Sequence, residues 1–317
     1  MKSIYFVLPC YNEEAVIENS ADELGKLVEK LIREELIVES SKIVFVNDGS
    51  EDKTWNLITK LCLKNHLFCG INLAHNSGHQ NAILAGMLTV KDKCDAVITL
   101  DADLQHDINV IPEFVRKFEE GYEIIYGVRR SRKGESIFKR ITGNSYYDLL
   151  HFLGIDIIKN HADYRLMSSR AVTALSKYDE VNLFLRGIIP QIGLNSIIIE
   201  YDEKPRLAGE SKYSFKKMMK LATDGITSFS IKPLQFISFC GIFFFFISIV
   251  LFIYAIIVWH KNDVVPGWTS IVAPIWLLGG IQLLALGIVG EYIGKVYMEV
   301  KRRPRYEIAD SIFYDEI

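Results

Sequence analysis

Two uncharged stretches near the C-terminus most constrain what this chain can fold into. Residues 234–258 form a 25-residue run without a formal charge, rich in Phe and Ile, and residues 271–289 form a second run of 19. A helix rises about 1.5 Å per residue, so the first run exceeds a hydrocarbon core of about 30 Å and the second comes close to it. Core helices of soluble domains rarely stay uncharged for so long. The pair reads as a transmembrane hairpin, with spans over residues 233–259 and 271–294 and a short loop, 260–270, whose only charges are Lys261 and Asp263.

The outer flanks of the hairpin are basic. Lys212, Lys216, Lys217, Lys220 and Lys232 precede the first span, and Lys295, Lys301, Arg302, Arg303 and Arg305 follow the second. Excess Lys and Arg mark the cytoplasmic side of a membrane protein. This predicts a multi-pass protein of the cytoplasmic (inner) membrane, with residues 1–205 and the tail 295–317 in the cytoplasm. Trp259, Trp268 and Trp276 lie near the far end, where an aromatic belt is expected. Before the first span, Phe215, Met218, Met219, Ala222, Ile226 and Phe229 recur every three or four residues, with Lys216, Lys217 and Lys220 off the centre of that face. Residues 206–232 thus read as a loop leading into an interfacial helix on the anionic inner leaflet.

The first 205 residues have a different pattern. Short β-rich runs at 3–8, 42–46, 70–73, 96–100 and 123–126 alternate with amphipathic stretches such as 15–36. Strand–helix alternation predicts an α/β domain with a mostly parallel sheet and helices on both faces. In such domains ligands gather at the carboxyl ends of the strands, and the polar motifs of this chain fall there. The net charge of -3 argues against a nucleic-acid partner. Five cysteines, Cys10, Cys62, Cys69, Cys94 and Cys240, form no C-x-x-C pair and suit a reducing compartment. The apolar run 4–8 is too short for a signal sequence, so the domain is expected to stay on the side of synthesis.

Three strand ends carry the chemistry. Asp101-Ala102-Asp103-Leu104-Gln105 follows the strand at 96–100. Two carboxylates two residues apart can converge on Mg²⁺ or Mn²⁺, which bind one or two carboxylates together with substrate phosphates. Such a cation neutralises charge on a leaving nucleoside diphosphate. By itself Asp-x-Asp also fits a solvated turn. Asn47-Asp48-Gly49-Ser50 ends the second strand. Asp48 can accept hydrogen bonds from a base or ribose, but an Asp-Gly turn, with Ser50 or Asp52 capping the next helix, explains the same residues. Pro9-x-Tyr11-Asn12-Glu13 ends the first strand, where Asn12 also suits a helix cap.

As an ordered set these motifs resemble the family-two, GT-A-fold glycosyltransferases that use nucleotide sugars. The resemblance extends through Asn76-x-Gly78 with Ala82, Ala85 and Gly86, Gly127-x-Arg129, Ala162-Asp163-Tyr164-Arg165-Leu166, Phe184-x-Arg186-Gly187, and Arg206-x-Ala208-Gly209-x-Ser211-Lys212. It is similar to the dolichol-phosphate-mannose-synthase-like group. Leu278-Gly279-Gly280-Ile281-Gln282, Gly290-Glu291-Tyr292-Ile293-Gly294-Lys295 and Arg303-Pro304 resemble the bacterial bactoprenol glucosyltransferases.

The resemblance implies an inverting transfer of a hexose to polyprenyl (undecaprenyl) phosphate, with glucose from UDP-glucose as the subgroup expectation and mannose from GDP-mannose as the alternative. It implies that Pro9, Tyr11, Glu13, Val46 and Asp48 line the nucleoside pocket. Asp101 and Ala102 are then near the ribose and diphosphate, and Asp101, Asp103 and Gln105 form the metal set for Mg²⁺ or Mn²⁺. Arg129, Arg206 and Lys212 are expected to meet phosphates, and Asp163 takes the place of the residue often assigned as base. His106 occupies a stretch where many relatives soon have proline and is expected to be a loop residue. A processive synthase would carry Gln-x-x-Arg-Trp and more spans, and a non-catalytic scaffold would have degraded carboxylates. Neither pattern is present. Gly279, Gly280, Gly287 and Gly290 permit close helix contact, within the hairpin or in a homo-oligomer.

Overall fold

A computed structural model of the chain describes residues 1–130, 158, 161–180, 183–202, 232–260 and 268–314. The five anticipated strands form at Ile4–Cys10 (β1), Lys42–Asn47 (β2), Phe68–Leu73 (β3), Ala96–Thr99 (β4) and Ile124–Arg129 (β5), with ends within three residues of those read from the sequence. Helices Ile17–Arg33 (α1), Thr54–Lys64 (α2) and His79–Val90 (α3) follow the first three strands, and Ile111–Glu119 (α4) follows the fourth after a 3₁₀ turn at Ile108–Val110. Three more strands complete the sheet: His161–Ser168 (β6), Ser196–Tyr201 (β7) and Ile308–Ile312 (β8). Ser169–Leu175 (α5) and Leu185–Gln191 (α6) lie between β6 and β7, and Lys232–His260 (α7) and Trp268–Lys301 (α8) precede β8.

The sheet runs β7-β5-β6-β4-β1-β2-β3-β8. β1 pairs in parallel with β2 on one side and β4 on the other, and β2 with β3 and β5 with β7 are also parallel. The chain therefore leaves β1 in both directions, which opens a crevice at the carboxyl ends of β1 and β4. Parallel strands covered on both faces need apolar side chains throughout, and β1 and β2 are buried along their whole length. α1 covers them with Ile17, Ala21, Leu24, Val28 and Leu31, one face at helical spacing.

α3 lies close to the sheet because Gly86 has no side chain. A Cβ there would meet Val7 Cγ1 and Val46 Cγ2, the stiff branches of two fully buried valines. Gly86→Ala is therefore expected to destabilise the domain by about 1–3 kcal/mol through overpacking. An unchanged melting temperature would place α3 farther from the strands than described here.

Three strands lie outside the runs that the sequence marks, and one of them, β7, pairs in parallel with β5 at the end of the sheet. The sequence shows β6 only as a polar motif, yet it enters the sheet antiparallel to both β4 and β5. The sequence reading makes residues 295–317 a cytoplasmic tail. Instead α8 continues to Lys301, and β8 then pairs antiparallel with β3 and covers the edge of the sheet. Edge strands present unpaired backbone groups, and β8 satisfies those of β3.

The chain divides into two compact units, the second built around α7 and α8. α7 has 29 residues and α8 has 34, and both expose large apolar side chains, among them Phe236, Phe239 and Phe246 on α7 and Leu283, Leu284 and Leu286 on α8. Among the described residues, one stretch, Leu278–Lys301, is long and apolar enough to cross a membrane. Among the described residues, a Cβ at Gly279, Gly280, Gly287 or Gly290 would meet nothing within 4 Å. Arg206, Lys212, the loop 205–214 and the face from Phe215 to Phe229 lie outside the described residues, as do the side chains of Trp259, Trp268 and Trp276.

Candidate active site

The carboxyl ends of β1 and β2 are tied together by their loops. Backbone N–H groups of Asn12 and Glu13 donate to Ser50 Oγ and Thr54 Oγ1, both at 3.0 Å, and Asn12 Oδ1 accepts from Glu51 N at 3.0 Å. Asn12 thus bridges two loops from a left-handed conformation, φ 54°, where the sequence also allowed a helix cap. Tyr11 is exposed and Glu13 half-buried beside this clasp. Pro9 and Val46 are register partners in adjacent strands, and Val46 is fully buried beneath Gly86.

Asp48 is buried, and its two carboxylate oxygens accept from Ser77 N at 2.7 Å and Gly78 N at 3.0 Å. Burial raises its carboxyl above the ordinary value against the pull of these two amides. Gly49, with φ +62°, allows the loop before α3 to touch this turn, because a Cβ would strike the backbone of His75 and Asn76. Asp48 therefore sets the entry of α3, whose first residue, His79, reaches the centre of the site.

That centre is a cluster of charges that the sequence did not place together. His79 Nε2 lies 3.5 Å from both Asp101 Oδ1 and Asp163 Oδ2. Asp101 comes from the end of β4 and Asp163 from β6, so one imidazole bridges the two motifs. Burial lowers the His79 pKa, but its hydrogen bond to Asp163 and the charges of both aspartates outweigh burial and raise it. Asp163 is 6% exposed and also accepts from Arg165 Nη2 at 2.5 Å and Arg186 Nη2 at 3.0 Å. Burial pushes its carboxyl up, yet Arg186, His79 and Arg165 together hold it well below the usual carboxylate range. Arg165 is wholly buried, and its Nε and Nη1 have no hydrogen-bond partner among the described residues.

The turn after β4 shapes the Asp-x-Asp motif. Leu104 is buried at φ 47°, and its N–H donates to Asp101 O at 3.1 Å. A left-handed, buried leucine is strained, and this strain sits at a loop that aims side chains. Ala102 O is held by Ser20 Oγ of α1 at 2.5 Å. Asp103 accepts from Gln105 N at 3.3 Å and from the Gln105 side-chain amide.

His106 lies in the loop after β4, as the sequence leads one to expect, but it is not exposed there. The same turn buries it fully, stacked on Tyr164 with ring centroids 4.9 Å apart. Its Nε2 is 2.9 Å from Asp101 Oδ2 and its Nδ1 is 2.7 Å from Tyr201 Oη. Burial works against charge on Asp101, but His106 and His79 beside it bring its carboxyl down to about 2. Arg129, at the end of β5, donates from Nε to Tyr201 Oη at 3.3 Å.

Among the described residues no group of three His, Cys, Asp or Glu side chains converges on one point as a protein-only metal cage. A hard cation with one or two carboxylate ligands needs no such cage, since diphosphate oxygens and water complete its shell. Asp101 and half-buried Asp103, with the Gln105 side chain beside the latter, fit that sparse donor set. Asp163, joined to Asp101 through His79, has its own carboxylate engaged by His79, Arg165 and Arg186.

Comparison with known proteins agrees with these motifs. Residues 5–175 match the profile "Glycosyl transferase family 2", and residues 232–296 match "GtrB C-terminal hairpin". The glycosyltransferase YkoT of Bacillus subtilis (strain 168) is 49% identical over 311 residues, covering 98% of this chain and 92% of the relative. The SfII prophage-derived bactoprenol glucosyl transferase of Shigella flexneri is 36% identical over 317 residues, covering 97% of this chain and 98% of the relative.

Proposed function

From a chain that belongs to glycosyl transferase family 2, with residues 232–296 matching a GtrB C-terminal hairpin, we infer a membrane-anchored transferase that moves glucose from UDP-glucose to undecaprenyl phosphate. The observation that carries this reading is the joint arrangement of a nucleotide-type site at the ends of β1, β2 and β4 with a full-length likeness to bactoprenol glucosyl transferases. The anchor has a physical reason. A polyprenyl chain stays in the bilayer, and confining enzyme and acceptor to one plane raises their effective concentration. α7 and α8 are read as a two-span hairpin, with the sheet domain on the cytoplasmic side.

In this reading the residues clasped between β1 and β2 receive the nucleoside, and Asp101 and Asp103 receive the diphosphate with Mg²⁺ or Mn²⁺. The cation, when bound, offsets the charge that builds on the leaving diphosphate. Arg129, with Arg206 and Lys212, meets the phosphates by charge-assisted hydrogen bonds. An oxygen of the lipid phosphate attacks the anomeric carbon. The new C–O bond forms as the bond to the nucleoside diphosphate breaks on the opposite face, and the diphosphate leaves with the electron pair.

Asp163 serves as a positioning residue in this reaction. Two arginines and a histidine stabilise its charged form, which makes it a weak proton acceptor. The acceptor does not require one, because a phosphate monoester with a second pKa of about 6 is mostly dianionic at neutral pH. The sugar is tested with a panel of radiolabelled UDP-glucose, UDP-galactose, UDP-N-acetylglucosamine and GDP-mannose, each with purified protein, cation and undecaprenyl phosphate. UDP-glucose is expected to be the preferred donor. Preference for GDP-mannose would reassign the donor pocket.

A further inference from the structure

The buried contacts beneath Asp101 form a directed chain. Asp101 Oδ2 can only accept, so His106 Nε2, 2.9 Å away, carries the proton of that bond. His106 Nδ1 is then an acceptor, and Tyr201 Oη, 2.7 Å away, donates to it. The phenol oxygen in turn accepts from Arg129 Nε at 3.3 Å. Each donor and acceptor is satisfied with one orientation of every hydrogen, running from the guanidinium on β5 through β7 and the turn after β4 to the carboxylate. His106 is 0% exposed and Tyr201 is 2% exposed, so water does not compete for the bond between them, while the end bonds to Asp101 and from Arg129 are part-buried. Tyr164 stacks on His106 with an interplanar angle of 9°, and Tyr201 meets His106 edge-on at 85°, which fixes both rings. Hydrogen bonds in such a chain polarise one another at low local dielectric.

We propose that His106 and Tyr201 are positioning residues that fix the Asp101 carboxylate and couple it to Arg129, so that the donor-diphosphate end and the phosphate-binding end of the site are set as one unit. This rests on the reading of Asp101 and Arg129 given above. Carboxylate–imidazole pairs behind a ligand-binding group commonly act by orientation, and their loss costs about 10–100-fold in affinity or activity.

The test uses the full-length protein in detergent or lipid and the variants Tyr201→Phe, His106→Ala, His106→Gln and Tyr201→Phe/His106→Ala. Tyr201→Phe removes only the oxygen at the middle of the chain and is expected to lower kcat/KM for UDP-glucose about tenfold. The double variant is expected to be no worse than His106→Ala alone, since both changes break one chain. His106→Gln, whose amide donates to Asp101 and whose carbonyl accepts from Tyr201, is expected to recover most of the loss. Packing alone would give additive losses and no rescue by Gln. On ¹⁵N-histidine-labelled protein, His106 is expected as the Nε2–H tautomer, with an Nδ1 signal that moves in Tyr201→Phe. The NMR readout needs no turnover, so a wild-type chain that transfers no sugar would count against the function and leave the chain of bonds decided separately. An Nδ1–H tautomer at His106, or Tyr201→Phe with wild-type kcat/KM, overturns the proposal.

Discussion

Asp103→Ala is expected to lower sugar transfer by about a thousandfold while the domain keeps its fold, because on the proposed function it removes a carboxylate that would hold the diphosphate-bound cation, and little else. The Asp103 carboxylate accepts hydrogen bonds from Gln105, two residues away, and its side chain is half-buried. The turn itself is held by other groups, through Leu104 N to Asp101 O and Ser20 Oγ to Ala102 O. Loss of the carboxylate therefore leaves the backbone anchored. Asp103→Asn separates charge from shape, since its amide oxygen still accepts from Gln105 N. Both variants are assayed for transfer with saturating cation and for thermal melting. Unchanged turnover in Asp103→Ala would remove this residue from the diphosphate site.

Asp163→Ala is expected to damage stability as well as activity. It strips the buried Arg165 of its one described hydrogen-bond partner and leaves Arg186 and His79 without their shared carboxylate. Breaking a buried pair in this way costs about 3–5 kcal/mol, because the remaining charge is uncompensated. For a domain of this size that corresponds to a drop in melting temperature on the order of 10 °C. The pH dependence follows from the same contacts. Asp163 and Asp101 both have carboxyls depressed in the folded state. Their stabilisation is complete above the unfolded value of about 3.9 and is lost as pH falls through it toward the folded values. Wild-type stability should therefore fall between about pH 5 and pH 2, and Asp163→Asn should flatten that decline. A variant that melts with the wild type at neutral pH would show that the Asp163–Arg165 pair contributes little.

How much of this was legible depends on the reach of each interaction. β1 to β5 were readable because each is a local apolar run bounded by polar turns, and the Asp101 and Asp48 motifs announce themselves at the strand ends. β6 was seen as a motif and not as a strand, since His161, Asp163 and Arg165 alternate with Tyr164 and Leu166 on a segment whose polar face is buried by charge pairing. β8 is five residues with Asp310 and Ser311 at its centre, and only the exposed edge of β3 explains why it pairs there. His79 and His106 were missed for a related reason. His106 meets Tyr201 across 95 residues, and His79 meets Asp163 from another element. No spacing rule encodes such contacts. The one local hint at His106 is the run Asp101-Ala102-Asp103-Leu104-Gln105-His106 itself, whose buried left-handed Leu104 turns the imidazole back under the carboxylate.

The most direct measurement of the central claim is transfer by purified protein from UDP-[¹⁴C]glucose, with Mg²⁺ or Mn²⁺, to undecaprenyl phosphate, to undecaprenol and to no lipid. Label is followed into the organic phase. The account predicts organic-phase label with undecaprenyl phosphate alone, removed by chelation of the cation and absent with Asp103→Ala. Equal label with undecaprenol or without lipid, or label that persists in Asp103→Ala, would contradict it.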